Sequence, residues 1–435
     1  MKSLLVVSLA TAALITTCPA TAATDSDHAN TSQDSLVKRG AYVSRLGDCA
    51  ACHTAPQGKP FAGGLPIDSN LGTIYSTNIT PDKENGIGGY SEQEFADAVR
   101  NGVRKDGAHL YPAMPYPSYK KISDRDMQAL YAYFQHGVAP VHEKGPVTDL
   151  SFPFSQRWGM MFWNWLFDSS ANTVSPSEAN DAVRRGAYLV EGLGHCGSCH
   201  TPRGLAMQEK AYDGNSSQYL AGSELNGWPV PSLRAGSGSH NGISGWSKQD
   251  IVDYLGKGRN AHAAVGGEMT KAVKFSTAHM TDADLQAIAA YLKTLPADNS
   301  QPELKDEQAA QATTQKLTKA RDLTAGERAY IDNCAACHLV NGKGASNMFP
   351  ALDGNSLINA DSPHGLLATI LEGAQTPSVK RAPSVNFMPG FADRLSDQQV
   401  ADLATFLRQG WRNDAGRVSK SDVAEVREAL KKEQK

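Results

Sequence analysis

The sequence of 435 residues lacks the features that identify several common classes of protein. Its formal charge is −3, from 42 basic and 45 acidic residues, which excludes a global positive field that would attract nucleic acid. It contains no run of about 18 consecutive apolar residues, so no membrane-spanning helix is predicted. It has no G-x-G-x-x-G pattern between a strand and a helix, so no nicotinamide or flavin site is predicted. Hydrophobic residues still make up 40% of the chain, which is enough for packed cores.

Cysteines are few, and almost all of them belong to one pattern. Of seven cysteines, six form three C-x-x-C pairs, and a histidine follows each pair directly. The three motifs are Cys49, Cys52 and His53; Cys196, Cys199 and His200; and Cys334, Cys337 and His338. They recur at intervals of about 140 residues, which is the length of a small domain.

The N-terminus predicts export. Lys2 precedes a largely apolar stretch that ends at Ile15, and small residues follow at Ala20–Ala23. This order is typical of a secretory signal peptide over residues 1–23, with cleavage after Ala22 or Ala23. Cleavage there removes the seventh cysteine, Cys18. The alternative is a lipoprotein signal in which Cys18 becomes the lipidated first residue, although the preceding Thr17 is a poor residue for such a site.

The C-x-x-C-H pattern has a specific chemistry. Two thiols on one helical turn can form thioethers to the two vinyl groups of haem, and the adjacent histidine then ligates the iron. Three copies that use every cysteine of the exported chain therefore predict three covalently bound haem c groups. The alternatives are disulfides, zinc, or thioredoxin-like pairs, but zinc normally needs two C-x-x-C units folded together, which three separated motifs suit badly.

A repeated helical pattern surrounds the motifs. Each unit begins with a similar segment ahead of its first cysteine, at residues 38–42, 184–188 and 326–330. Each ends with a helix-capping residue, Ser123, Thr281 or Ser396, followed by apolar residues at i, i+3, i+4 and i+7. We therefore expect a closing helix that packs against the first helix of each unit. The predicted fold is mainly α, with three tandem cytochrome c-type domains, each a few helices around a covalent haem, and long loops.

The domain boundaries follow from these repeats. The three domains are predicted at residues 33–149, 181–297 and 321–412. An aromatic connector at 150–180 and a polar linker at 298–320 separate them, and a polar surface helix or tail at 413–435 ends the chain.

The second axial ligand of each iron is predicted to be methionine. Met114 and Met388 each precede a proline in a loop ahead of the closing helix. In the second unit, Met269 follows Gly258 by nearly the same number of residues as Met114 follows Gly102 in the first unit, so the repeat favours Met269. Met280 is the alternative, but it directly precedes the helix cap, where a hydrophobic-staple residue is expected. A six-coordinate haem has no open site for substrate, so the pattern favours electron transfer over peroxidase-like catalysis and predicts no catalytic residue.

One stretch is unusually aromatic. Its large apolar residues are Phe152, Phe154, Trp158, Met160, Met161, Phe162, Trp163, Trp165 and Phe167. One interpretation is a buried connector between the first two units. The other is an exposed segment that contacts a membrane or a partner protein. Apolar density alone does not separate the two.

Several long segments identify a family. They are Gly72–Pro81, Leu110–Pro117, His195–Gly204, Met348–Leu352 and Met388–Phe391. On these segments the chain resembles the tri-haem cytochrome c subunits of bacterial membrane-bound dehydrogenases for sugars, sugar acids and alcohols. The resemblance extends from about residue 36 to residue 411.

The resemblance implies a place in a complex. A flavoprotein, or in the alcohol enzymes a pyrroloquinoline-quinone protein, oxidises the substrate on the periplasmic face, with a small third subunit in some complexes. The cytochrome subunit then carries the electrons to ubiquinone in the inner membrane. The family also has a methionine at the Met269 position. Among its members, the cytochrome subunit of gluconate 2-dehydrogenase is the most similar in appearance, followed by that of alcohol dehydrogenase. We expect peripheral attachment to the periplasmic face of the membrane.

Overall fold

The computed structural model describes residues 25–69, 71–168, 173–174, 179–225, 227–235, 242–297 and 304–433. The predicted signal peptide, with Cys18, lies outside these residues. The described chain is mainly helical and consists of three similar units in tandem. For residues 25–31 only the backbone is considered.

The elements of each unit follow the same order, from a first helix through the cysteine motif to a closing helix. Unit 1 contains α1 (Asp25–Leu46), α2 (Cys49–His53), β1 (Pro66–Ser69), β2 (Gly72–Tyr75), α3 (Glu92–Asn101), α4 (Tyr116–Tyr119), α5 (Asp124–His136) and β3 (Asp149–Leu150). The connector forms α6 (Gly159–Phe167). Unit 2 contains α7 (Asp181–Ala187), a π-helical turn (Tyr188–Leu193), α8 (Gly197–His200), β4 (Ser223–Leu225), β5 (Trp228–Val230), α9 (Lys248–Lys257), α10 (Met269–Phe275), a 3₁₀ turn (Thr277–His279) and α11 (Asp282–Leu292).

Unit 3 has additional helices at both ends. Its elements are α12 (Glu307–Lys319), α13 (Ala325–Asn333), α14 (Ala335–His338), α15 (Ser356–Asn359), α16 (His364–Glu372), β6 (Gly373–Gln375), β7 (Phe387–Pro389), α17 (Asp397–Gln409) and α18 (Lys420–Glu433). The strands are short and antiparallel. β1 pairs with β2 and β2 with β3, β4 pairs with β5, and β6 pairs with β7 so that Met388 lies opposite Ala374.

The predicted closing helices are confirmed. Ser123, Thr281 and Ser396 cap α5, α11 and α17, and each side-chain oxygen accepts a hydrogen bond from the backbone N–H three residues on. The apolar face of each closing helix packs against the first helix of its own unit, which is α1, α7 or α13. Buried residues such as Leu130, Leu285 and Leu403 fill these interfaces.

A glycine sets how closely each pair of helices approaches. A Cβ atom on Gly40 would collide with the carbonyl oxygen of Ala129, and one on Gly186 with that of Ala287. Gly326 has the same relation to the carbonyl oxygen of Asp402 in unit 3. Because a backbone carbonyl within a helix cannot move aside, only glycine permits this crossing. The shared glycine of the three repeats is therefore a packing residue.

Units 1 and 2 are joined by two matching hydrogen bonds between tyrosine and aspartate. The Tyr42 hydroxyl in α1 donates to the Asp284 carboxylate in α11, with an O–O distance of 2.6 Å. In return, the Tyr188 hydroxyl of unit 2 donates to the Asp126 carboxylate in α5, over 2.7 Å. Each hydroxyl also accepts the N–H of the capping residue of the other unit's closing helix. The two units are thus related by an approximate two-fold arrangement.

Arginine completes each of these contacts. Arg39 pairs with Asp126 at 2.6 Å, and Arg185 pairs with Asp284 at 2.8 Å, each within its own unit. Burial opposes ionisation of Asp284, but its bonds to Arg185 and Tyr42 hold its pKa below the ordinary value. The carboxylate is therefore charged at neutral pH and binds both partners strongly.

Unit 3 has a separate core that extends beyond its predicted boundaries. The segment 298–320 was predicted to be a linker, yet α12 covers 307–319 and buries Ala310 and Leu317 in this core. The tail 413–435 forms the expected helix, α18, but its apolar residues Val423, Val426 and Leu430 are buried against α16 and α17. The polar composition of both segments concealed a narrow apolar face.

Arg259 anchors unit 3 to unit 2. Its guanidinium donates to the Ser384 carbonyl at 2.8 Å and to the Ser384 hydroxyl at 2.7 Å, and the side chain is almost fully buried. Arg381 of unit 3 binds back to Asp282 and to the carbonyl of Met280. Arg259 is therefore a buried contact between the two units.

The aromatic connector is exposed. No residue of α6 is buried, and Trp158, Phe162, Trp165 and Leu166 rank among the most exposed large hydrophobic side chains described. The interpretation as a buried connector is therefore wrong for this helix.

Candidate haem sites

The three cysteine motifs lie on short helical turns. The segments are α2, α8 and α14, each of which ends at the histidine of its motif. The backbone reverses just before the first two motifs, where Asp48 and His195 adopt left-handed conformations with φ of 50° and 37°. A helical turn places two cysteines three positions apart on the same side, which is the spacing that two thioether bonds require.

The thiols are free and partly accessible. Cys199 and Cys337 are exposed, and the other four cysteines of the motifs are half-buried. Burial raises the pKa of Cys49, Cys196 and Cys334 to about 12 in each case. A thioredoxin-like redox pair needs a lowered thiol pKa, so these environments do not suit it. Among the described residues, no group of three or more His, Cys, Asp and Glu side chains converges as a metal site.

Each motif histidine is oriented by a backbone carbonyl. The Nδ1 atom of His53 is 2.7 Å from the Thr77 oxygen, and that of His200 is 2.7 Å from the Pro231 oxygen. His338 has the same contact with Pro350 at 3.0 Å. Because Nδ1 is the donor in each bond, Nε2 has a free lone pair that can bind a metal.

The protonation of these rings agrees with that role. Burial lowers the pKa of His53, His200 and His338 below the ordinary value for histidine, although the carbonyl contact acts in the opposite direction. The rings are therefore neutral at physiological pH, which is the form that ligates iron. The sequence did not reveal the three carbonyl partners, because they lie in loops well downstream of each motif.

The structure places the candidate methionines in two kinds of environment. Met114, Met269 and Met388 are half-buried at the edges of the apolar clusters of units 1, 2 and 3. Met114 lies in the loop before α4, Met269 begins α10, and Met388 lies on β7. Met280 is only 3% exposed and packs in the main core directly before Thr281. Its side chain thus fills a staple position.

The first two candidate sites are close together. The Tyr119 hydroxyl donates to the carbonyl of Gly47, just ahead of the first motif, at 2.7 Å. The same ring packs edge-on against His195, which directly precedes Cys196, with centroids 5.6 Å apart. In addition, α10, which carries Met269, packs against α2 of unit 1.

The second site is linked to the third in a similar way. The N–H of Ala351 donates to the carbonyl of His262 at 3.2 Å, and the N–H of Asn347 donates to that of Asn260 at 3.1 Å. Ala351 directly follows Pro350, the partner of His338. The loop that follows α9 in the chain therefore contacts the loop that orients the histidine of the third site.

The residues present fit haem c at all three positions. Each position combines two partly accessible thiols on one helical turn with a neutral histidine whose Nε2 is free, and a half-buried methionine lies later in the same unit. This donor set of thiols, imidazole and thioether suits a covalently attached haem with histidine and methionine as axial ligands.

Comparison with known proteins agrees with this reading. The sequence profile of the cytochrome c family matches residues 183–296 and 323–411, which fall in units 2 and 3. The chain is 47% identical over 404 residues to the cytochrome c subunit of the quinone alcohol dehydrogenase of Gluconobacter oxydans, covering 92% of this chain and 84% of that protein. It is 45% identical over 437 residues to the gluconate 2-dehydrogenase cytochrome c subunit of Pantoea cypripedii, covering 98% and 95%. The fructose dehydrogenase cytochrome subunit of Gluconobacter japonicus is 37% identical over 410 residues.

These similarities define the class of protein. The chain is a cytochrome c, and electron transfer is its function. More narrowly, it belongs to the family of cytochrome c subunits of dehydrogenases.

Proposed function

We propose that this chain is the tri-haem electron-transfer subunit of an exported dehydrogenase complex at the periplasmic face of the bacterial inner membrane. It receives electrons from a catalytic subunit and passes them to ubiquinone. The observation that carries the proposal is the threefold pairing of a motif histidine with a backbone carbonyl, at His53, His200 and His338. All three units, including the one that the family profile does not match, have it.

The ligand set follows from these positions. Cys49 and Cys52, Cys196 and Cys199, and Cys334 and Cys337 would attach the three haems, and His53, His200 and His338 would each ligate one iron. Met114, Met269 and Met388 would supply the second ligand of each iron. For the second iron, Met269 is favoured over Met280, because Met280 is buried in the main core and Met269 lies half-buried beside a smaller apolar cluster.

The chain positions its groups for electron transfer. When bound, haem c takes up and releases one electron at its iron. Direct contacts link each site to the next. Tyr119 contacts both of the first two motifs, and the hydrogen bond from Ala351 to His262 joins units 2 and 3. An iron that both a histidine and a methionine ligate would have no open position for substrate, so we assign the oxidation of substrate to another subunit.

The catalytic partner is a flavoprotein of the gluconate 2-dehydrogenase type, with a small third subunit. The gluconate relative covers nearly the whole of both chains, which favours this assignment. A quinoprotein alcohol dehydrogenase is the second candidate, since the alcohol dehydrogenase relative has the slightly higher identity. The gene beside this one discriminates between them, because a flavoprotein gene supports the first and a quinoprotein gene the second.

Electron transfer within the complex tests the proposal. The purified complex should show reduction of all three haems when the substrate of the partner is added, and reoxidation when a ubiquinone analogue follows. The isolated cytochrome subunit should show no reduction by the substrate. Reduction of the isolated subunit by substrate, or a ubiquinone analogue that leaves the reduced haems unchanged, would contradict the proposed function.

A further inference from the structure

The connector helix α6 reverses the usual orientation of an amphipathic surface helix. Its polar residues point toward the protein: Asn164 accepts from the Tyr116 hydroxyl at 2.6 Å, and Asp168, just after the helix, binds Lys120 at 2.5 Å. Its residues Met161, Phe162, Trp165 and Leu166 are exposed, Trp165 by 80%, and Trp158, just ahead of the helix, is 66% exposed. A helix in water normally buries its apolar face, so a non-aqueous surface is needed to cover this one.

A second segment adds to the same surface. The Trp163 ring nitrogen donates to the Ala206 carbonyl at 2.8 Å, which fixes the loop after the second cysteine motif beside α6. Leu205 is fully exposed in this loop, and Met207 is about half-exposed. Ahead of α6, Phe152 and Phe154 are also exposed, and the Phe154 carbonyl is held by the Tyr111 hydroxyl at 3.0 Å. We call the exposed apolar residues of 152–166 and 205–207 the apolar platform.

The exposed charges within the two segments of the platform are positive. Residues 151–167 contain one charged residue, Arg157, whose guanidinium is held by the His109 carbonyl and the Tyr111 ring. In the neighbouring loop, Lys210 is exposed, whereas the carboxylate of Glu209 is buried. A surface of aromatic rings with cations at its border complements a bilayer that contains anionic lipids.

We infer that the apolar platform binds the lipid bilayer, with α6 lying in the headgroup region parallel to the membrane. Tryptophan rings suit this region because they combine an apolar body with one polar N–H group. This inference deepens the proposed function, because it assigns the peripheral membrane contact to named residues. It also places the connector between units 1 and 2, rather than either end of the described chain, at the membrane.

Vesicle flotation of the full-length holoprotein, without its dehydrogenase partner, tests the inference. The protein should float with vesicles of phosphatidylcholine and phosphatidylglycerol, and less with phosphatidylcholine alone. The triple substitution Trp158→Ser, Trp165→Ser, Leu205→Ser should lower the vesicle partition coefficient roughly a hundredfold, since three exposed apolar side chains are lost. Lys210→Glu should weaken binding to the anionic vesicles only.

A matched control separates the platform from exposed hydrophobic residues in general. Val147→Ser, Met348→Ser and Val385→Ser together remove three other exposed apolar side chains and should leave flotation unchanged. Haem absorbance and circular dichroism should match the wild type in both triple variants, because all six side chains are at the surface. Equal losses in the two triple variants would overturn the inference.

Two further outcomes would also overturn it. One is a wild-type holoprotein that does not float with either vesicle. The other is a platform variant that floats normally but no longer binds the dehydrogenase, since a protein partner would then cover the platform. Substrate-driven haem reduction in detergent is measured separately, so failure of the proposed function is distinguishable from failure of the membrane contact.

Discussion

The reciprocal tyrosines at the boundary of units 1 and 2 give a quantitative prediction. Each hydroxyl donates to a buried aspartate of the other unit that also pairs with an arginine, at 2.6 Å for Tyr42 and 2.7 Å for Tyr188. A hydrogen bond to a charged group contributes about 1.5–3 kcal/mol to the free energy of unfolding. Both tyrosines are half-buried, and removal of either hydroxyl also takes away an acceptor from a capping N–H. We therefore expect Tyr42→Phe and Tyr188→Phe each to cost about 2 kcal/mol.

Urea unfolding of the holoprotein, followed by far-UV circular dichroism, measures these costs. Tyr131→Phe is the matched control, since its hydroxyl donates to the neutral carbonyl of Tyr90 within unit 1 at 2.9 Å. The control should cost about 1 kcal/mol or less. If Tyr42→Phe and Tyr188→Phe are no more costly than Tyr131→Phe, the reciprocal bonds do not hold the two units together.

Four further predictions concern the sites and the packing around them. Met269→Leu should make the second haem high-spin and lower its reduction potential. Met280→Leu should leave the haem spectra unchanged and lower the free energy of unfolding by under about 1.5 kcal/mol. The reverse pattern would refute the assignment of Met269. Since the pKa of Asp284 is depressed on folding, its stabilisation is present above the ordinary value of 3.8 and is lost as pH falls through the lower folded value. Asp284→Asn should therefore be less stable near neutral pH and lose less stability on acidification, as denaturation at several pH values would show; an unchanged pH profile would contradict this. Gly186→Ala should cost about 1–3 kcal/mol in the same assay, while Gly159→Ala, where the added methyl group meets open space, should be neutral or slightly stabilising. The reduced protein should bind carbon monoxide slowly at every haem, and rapid binding at one haem would show an open iron.

Local patterns predicted much of this structure because the relevant interactions are close in the chain. The caps at Ser123, Thr281 and Ser396 bond only three residues ahead, so their helices could be located from sequence. The position of Met280 before a cap also predicted that its side chain would be buried. Periodicity and capping are local, and they determine where helices begin.

Contacts across long stretches of chain were not predictable in this way. The aligned segments 38–42, 184–188 and 326–330 match Tyr330 to Tyr42 and Tyr188. In the structure, the equivalent positions are instead those counted from the packing glycines Gly40, Gly186 and Gly326. By that equivalence, unit 3 has the exposed Arg328 where the other units have the bridging tyrosine. The Tyr–Asp contacts join helices more than two hundred residues apart in one case, and no local pattern encodes them.

Burial was the other quantity that composition did not determine. The segment 307–319 reads as polar, yet two of its side chains reach the core of unit 3. The composition of 152–167 allowed both a buried connector and an exposed segment, and most of its rings are exposed while Asn164 and Asp168 bind the protein. In both cases the identity of the packed face depends on the tertiary partner, which the sequence does not specify.

The number of covalent haems tests the central claim most directly. Intact mass spectrometry of the mature protein, combined with thiol labelling under denaturing conditions, counts the haems and any unmodified cysteine. The account predicts three haem additions and no labelled thiol, because all six cysteines of Cys49 to Cys337 are consumed in thioether bonds. A mass with two haems, or one labelled cysteine, would contradict it.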